Sequence, residues 1–396
     1  MVVRIKTATL VVLVLLLPLT ACRPAFLVDY TYQQPEDIGD GLSVGSLSDA
    51  NVDSDLIQKA VKDILRGEHK EVHSMLLLKD GKLVLEEYFA GHKYQWDARK
   101  HHGELLDWDR DMLHVVMSDT KSVTSICIGI AIENGFIDSV HQSIFDYLPA
   151  HQHLNTDGKG EITIEHLLTM TSGLEWDEWS AALSSEKNDI VGIWFSEQDP
   201  LSFILERSLL NEPGTSFAYA GGNMIVLGEI IKHATGMSID EFSGEYLFGP
   251  LGIDSYDWYN RFPNGVIEAA GGLALTPRGM VKIGATFLGG GVWNGEQVVP
   301  EQWVQSSATT YPGNTGIDIP GEDSGLNGYS YSWWTKEYFD SGKTVHMYSA
   351  GGWGGQHIMV LPELDAVVVF TGGNYVSYRP PYEILEDYLL PALIGT

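Results

Sequence analysis

The chain has 396 residues, of which 44% are hydrophobic and only 19% charged, enough to build one large globular domain or two smaller ones. Its formal net charge is −29, with just 24 lysines and arginines. That balance argues against nucleic acid or an anionic lipid surface as partner, because both need basic patches.

At the N-terminus, Arg4 and Lys6 precede an apolar run from Leu10 to Leu17. The run is too short to cross a bilayer and has the length of a signal h-region. Leu19-Thr20-Ala21-Cys22 follows and resembles a bacterial lipobox. Residues 1–21 are therefore expected to be a signal peptide. Cys22 would carry lipid and anchor the exported chain on the periplasmic or extracellular face of a bacterial membrane; ordinary signal cleavage is the alternative. Residues 22–51 are polar, with two prolines and several glycines, and read as a lipid-attached tether before a domain at 52–396. The second cysteine, Cys127, lies in an apolar stretch and reads as a small core residue.

Asp53 or Ser54 can cap a helix carrying Leu56, Ile57, Ala60, Val61, Ile64 and Leu65. Val72 to Leu78 and Leu83 to Phe89 flank Asp80-Gly81 and predict a β-hairpin. A mixed, histidine-containing loop leads to Ser118. The apolar stretch after it, with Val123, Ile126, Cys127, Ile128, Ile130, Ala131 and Ile132, predicts a buried helix ending at Asn134-Gly135. From about Asp138 to Leu251 the pattern is mainly helical. Strands are predicted again at Tyr329–Thr335, Thr344–Ser349, Gln356–Leu361 and Ala366–Thr371, and a last amphipathic helix carries Tyr382, Leu385, Tyr388 and Leu389. An isolated hairpin is marginal in water, so the early hairpin should join the late strands. The expected fold is α/β of the α+β type. An antiparallel sheet is flanked by the N- and C-terminal helices, and a mainly helical insertion spans about 138–265.

Three segments carry chemistry. Ser118-Asp119-Thr120-Lys121 puts a hydroxyl and an amine on one helix face, with the hydroxyl at the positive end of the helix dipole. A neutral, buried lysine there can take the serine proton, which is the equipment of serine acyl transfer. The same spacing at Ser184–Lys187 lies in a polar stretch that reads as a solvated loop. Tyr219, between Pro213-Gly214 and Gly221-Gly222, can relay a proton if its oxygen reaches Ser118; alone it would read as core. Ser349-Ala350-Gly351-Gly352-Trp353-Gly354-Gly355 opens a strand with unobstructed peptide N–H groups, one of which can bind an oxyanion beside the N–H of Ser118; a glycine-rich bulge is the alternative.

Ser118-x-x-Lys121, Ile162-Thr163-Ile164-Glu165-His166-Leu167-Leu168-Thr169-Met170-Thr171-Ser172-Gly173-Leu174, Tyr219 and the glycine-rich strand, in that order, resemble the serine β-lactamase-related family. It includes class C β-lactamases, D-alanyl-D-alanine peptidases, esterases and 6-aminohexanoate-dimer hydrolases. The resemblance covers roughly Asp53 to Leu393 and implies a β-lactamase/transpeptidase-like fold with no cofactor. It implies Ser118 as nucleophile, Lys121 and Tyr219 as general base and proton shuttle, and Trp353 or Gly352 as the second oxyanion N–H. Two positions depart from the family pattern. Gly221 stands where Y-x-N motifs end in asparagine, with Asn223 two residues on, and Ser349 or Ala350 stands where a cation often opens the third motif. A substrate carboxylate needs a positive partner there. The expected substrate is therefore a small ester or uncharged amide, with β-lactamase or D-alanyl-D-alanine peptidase activity as the alternative. A catalytically silent, membrane-tethered binding protein is the rival from another class. A working Lys121 must be largely neutral, and lowering a lysine pKa by about three units costs about 4 kcal/mol.

Trp176, Trp179, Trp194 and Phe195 read as a wall of an apolar substrate pocket, or as helical-domain core. Gly41-Leu42-Ser43-Val44-Gly45 matches a nucleophile elbow in letters but lacks the strand–helix context. His101-His102 and His151-x-His153 lie in predicted loops with no third ligand at helpful spacing, so no metal site is expected.

Overall fold

A computed structural model of the chain describes residues 29–322, 324–340, 342–376 and 380–395. The expected signal peptide at residues 1–21 and the expected lipid site at Cys22 lie outside the described residues. The strands are β1 (Val72–Lys79), β2 (Lys82–Tyr88), β3 (Ala90–Tyr94), β4 (His102–Asp107), β5 (His114–Val115), β6 (Tyr256–Trp258), β7 (Leu273–Leu275), β8 (Val292–Trp293), β9 (Glu296–Gln297), β10 (Ile317–Asp318), β11 (Leu326–Ser330), β12 (Trp333–Asp340), β13 (Lys343–Gly352), β14 (Gln356–Leu361) and β15 (Ala366–Gly372). Eight of them form one antiparallel sheet in the order β10-β11-β12-β13-β14-β15-β1-β2. The early hairpin is thus stitched to the last strand, with Leu76 opposite Val369 and Leu77 opposite Val368.

Side chains on these strands alternate between two cores, as the two-residue period of a strand requires. Leu76, Leu78, Ile358, Val360, Val367 and Val369 face one core. Met75, Leu77, Met359, Leu361, Val368 and Phe370 face the other. Helix α1 (Ser54–Leu65) covers the second face, sharing that core with Tyr382, Leu385 and Leu389 of the C-terminal helical run. Asp53 caps α1, its carboxylate accepting from the N–H groups of Asp55 and Leu56. On the first face lies α2 (Asp119–Glu133), buried from Asp119 to Ala131. It packs among α3 (Ile164–Leu168), α4 (Asp189–Phe195), α5 (Pro200–Leu205), α6 (Gly221–Thr235), α7 (Ile239–Ser243), α8 (Gly249–Leu251) and α9 (Pro277–Leu288). Among the described residues, no helix is long and apolar enough to cross a membrane.

Three local expectations change. Residues 29–51 are not a free tether: Leu42, Leu47 and Ala50 are buried, Val44 bridges Leu83 of β2, and Arg278 pairs with Asp40 and Glu86. The single strand expected at Tyr329–Thr335 is two strands joined at Tyr331-Ser332, whose φ angles are 40° and 65°. Such angles disfavour L residues, and the turn is held from outside. The Tyr331 and Ser332 carbonyls accept from Ser125 and Ser122 of α2 at 2.7 Å each, and the Ser332 N–H donates to Leu168 at 2.9 Å. The histidine-containing loop before Ser118 is largely a two-stranded ribbon, β3 with β4.

Candidate active site

The nucleophile candidate follows a strained residue. Met117 sits at φ 49°, and Ser118 is the N-cap of α2. Serine oxygens usually cap such a helix; here the hydroxyl makes no capping bond and instead lies 2.9 Å from Nζ of Lys121. Lys121 is buried, and Nζ also donates to the carbonyl of Ala270 at 2.9 Å. That carbonyl is placed by clamps between α2 and the segment before β7: Thr124 Oγ1 donates to the Ala269 carbonyl at 2.8 Å, and Thr120 Oγ1 accepts from the Leu273 N–H.

Tyr219 directly precedes the N-cap of α6, and its hydroxyl faces Ser118. Its ring centre is 4.9 Å from Lys121 Nζ. Trp179 and Trp334 sandwich the ring in near-parallel stacks at 5.5 and 5.7 Å. The segment Ile162–Leu174 acts as a bracket rather than a lining: Met170 accepts from the Ala218 N–H at 2.8 Å, Thr171 from that of Gly214. Ser118, Lys121 and Tyr219, spread over a hundred positions of sequence, therefore meet in one place.

They open into a cavity of about 980 Å³. Trp179, Trp194 and Phe195 line it as expected, joined by Trp96, Tyr259, Trp334, Trp353 and Tyr375. Trp176 does not; it packs beneath Gly222 and edge-on to Phe203. At the end of β13, Trp353 lines the cavity while the Gly352 backbone presses on the nucleophile. A Cβ at Gly352 would fall 2.3 Å from the Val116 carbonyl oxygen and 3.2 Å from the Ser118 nitrogen. Gly354 and Gly355 complete the turn at φ 95° and 96°, angles that favour glycine. Ser349 and Ala350 are buried in β13 and do not line the cavity, so neither supplies a cation there.

The electrostatics come from groups that sequence reasoning missed. Glu178 and Glu268 are both buried and both line the cavity beside Lys121. Glu178 accepts from Trp176 Nε1 at 2.8 Å and from the N–H of Gly221. It occupies the space a side chain at Gly221 would need, while Asn223 points away, its Nδ2 facing the Leu167 carbonyl. Glu268 Oε1 accepts from the Ala270 N–H at 3.0 Å. Burial raises both carboxyls, Glu268 to about 7, and the charge of Lys121 opposes that rise. Burial lowers Lys121 from its ordinary value, against the pull of Glu178, Glu268 and Asp119, and pushes the Tyr219 hydroxyl up.

The other serine–lysine pattern stays in an exposed stretch, with Ser184 at the cavity rim. Ser43 lies beside the Val44–Leu83 bridge at the sheet edge, not at an elbow. Cys127 is a buried free thiol of α2.

The protein is similar to the 6-aminohexanoate-dimer hydrolase of Paenarthrobacter ureafaciens, 28% identical over 309 residues, covering 75% of this chain and 71% of that protein. The octameric penicillin-binding protein homologue from Pyrococcus abyssi shares the fold at a TM-score of 0.62 and 22% identity, covering 86% of this chain and 77% of that one. So does EstCE1, a hydrolase with promiscuous acyltransferase activity, at 0.64 and 16%, covering 85% and 98%. With the Beta-lactamase family model matching residues 57–375, most of its length, the chain belongs to the Beta-lactamase family and is a serine hydrolase.

Proposed function

We propose that the chain cleaves uncharged esters or amides through an acyl-enzyme on Ser118. Lys121 takes the Ser118 proton, and Tyr219 passes it to the leaving group. The Ser118 N–H and the N–H of Trp353 or Gly352 hold the oxyanion of the tetrahedral intermediate. Water then attacks the acyl carbonyl, the same pair removes its proton, and the acid leaves. The observation that carries this reading is the 2.9 Å contact between Ser118 and Lys121, with the Tyr219 ring centre 4.9 Å from the same amine and its side chain lining the same cavity.

Substrate charge follows from the lining. Among the described residues around the cavity, Lys121 is the sole lysine or arginine, and it is engaged with Ser118 and Ala270, while Glu178, Glu268 and Glu322 contribute carboxyls. A substrate carboxylate would meet net negative charge. Apolar acyl or amine portions fit against Trp179, Trp194 and Phe195. The similarity to a 6-aminohexanoate-dimer hydrolase agrees with an amide bond outside the β-lactam class. We further propose, from the sequence, export and lipid attachment at Cys22.

The test is labelling with a fluorophosphonate probe together with p-nitrophenyl ester and nitrocefin assays. The expected result is one adduct on Ser118, ester turnover and no nitrocefin turnover. Loss of both labelling and turnover in Ser118→Ala is expected. A folded Ser118→Ala protein that still hydrolyses the ester overturns the reading.

A further inference from the structure

Behind the cavity wall lies a second cluster of chemistry-bearing side chains, drawn from three separate elements. Glu71 precedes β1, His92 is in β3 and His102 is in β4. One donor atom from each lies within 4.8 Å of the others. Glu71 Oε1 is 2.8 Å from Nδ1 of His92, and His102 Nε2 is 3.0 Å from the carbonyl oxygen of Gly373. Two ligands bound to one centre at about 2.1 Å in tetrahedral geometry stand about 3.4 Å apart, so both pairs already approach that spacing.

The surroundings aim the carboxylate into this cluster. Glu71 holds a left-handed backbone, φ 55°, a conformation that disfavours a non-glycine residue. Its Oε2 accepts from the backbone N–H of His92 at 2.9 Å and faces His73 Nε2 at 3.4 Å. His73 is in turn stacked on Trp108 at 4.9 Å. Hydrogen-bonded outer partners of this kind orient metal ligands. Space is reserved as well: a Cβ at Gly91 or Gly373 would collide with His73 and crowd Glu71.

We propose that Glu71, His92 and His102 bind one divalent transition-metal ion of the zinc class. The Gly373 carbonyl or a water would complete its coordination. Two imidazoles and a carboxylate suit Zn²⁺ or Co²⁺ far better than Mg²⁺ or Ca²⁺. The two rings now stack nearly parallel, 4.5 Å apart, so closing on an ion turns one imidazole out of the stack. The ion would tie the β3–β4 ribbon to the ends of β1 and β15. The same ribbon presents Tyr94, and the turn between its strands presents Trp96 and His101, to the cavity. The ion would thus brace one wall of the substrate site without touching Ser118.

The test is calorimetric titration of the chelator-treated full chain with zinc chloride, and separately with magnesium chloride. One equivalent of Zn²⁺ is expected, with no magnesium binding at equal concentration. Glu71→Gln, His92→Ala and His102→Ala should each weaken binding by about 10-fold or more. The His151→Ala/His153→Ala variant should bind as the parent does. Ester turnover and far-UV circular dichroism check that each variant is folded. On the parent protein, Zn²⁺ should protect His92 and His102, but not His151, from diethylpyrocarbonate, read by peptide mass. Absence of saturable binding, binding that survives the three substitutions in folded protein, or equal modification of His92 and His102 with and without Zn²⁺ overturns the proposal.

Discussion

A side chain on Gly221 would place its Cβ 2.6 Å from Oε1 of Glu178, so the two residues compete for one space and the glycine leaves it to the carboxyl. The polar group beside the Ser–Lys–Tyr cluster therefore comes from a loop, and it brings a charge that an asparagine would not.

That charge sets the first prediction. Ionised Glu178 favours the ammonium form of Lys121, whereas catalysis needs the amine. Glu178→Gln keeps an acceptor for the Gly221 and Trp176 N–H groups and removes the charge. Lys121 should then lose its proton more readily. The acidic limb of kcat/KM against pH for a p-nitrophenyl ester should move to lower pH. Glu178→Ala instead strands the buried Gly221 N–H, at about 1–3 kcal/mol, and the half-buried Trp176 Nε1, and should lower the melting temperature.

Removing the proton-transfer groups should act on kcat. Lys121→Ala should reduce ester turnover by about 10³-fold or more, and Tyr219→Phe by about 10²-fold, with KM changed little. The phenylalanine ring keeps the stack between Trp179 and Trp334, so its effect reads the hydroxyl. A Tyr219→Phe enzyme with unchanged kcat on esters and amides alike would remove tyrosine from the mechanism.

At Gly352 the issue is distance. A methyl carbon there would sit 2.3 Å from the Val116 carbonyl oxygen, far inside contact, so Gly352→Ala must push the end of β13 away from Ser118. One misplaced oxyanion donor costs about 3 kcal/mol, roughly 10²-fold in kcat. Gly351→Ala is the control, since a Cβ there meets its neighbours at 3.3 Å or more. It should lose much less.

What could be read from sequence follows from what leaves a periodic or spaced signal. The hairpin at 72–88, the strands from 343 to 372 and the buried helix after Ser118 alternate or repeat cleanly, and they are in place. Ser118, Lys121 and Tyr219 were readable because helix spacing and flanking glycines mark them. Glu178 and Glu268 were not. Each sits in an irregular segment, and burial of a carboxylate is a tertiary property that its neighbours in sequence do not encode. The Tyr331-Ser332 turn escaped for a related reason: it lacks glycine and asparagine, and hydroxyls of α2 hold it from across the fold. His102 was visible only as half of a pair, because Glu71 and His92 reach it through strand pairing rather than proximity in sequence.

Glu268 makes stability depend on pH in a direction opposite to that of most paired carboxylates. Buried, it holds its proton to about 7 in the folded chain, whereas in the unfolded chain it ionises near 4.5. Between those values the native state binds more protons, so its contribution to stability is full below about 4.5 and is lost as pH rises through about 7. Lys121, lowered by burial, has the reverse sign: in its window the unfolded state binds more protons, so stability rises there with pH. Melting temperatures of the parent should therefore fall from about pH 5 to about pH 7.5 by more than those of Glu268→Gln, which is neutral throughout. Should the two curves run parallel across that range, Glu268 is ionised in the folded chain even at its acidic end, and the charge balance around Lys121 must be redrawn with it as a permanent anion.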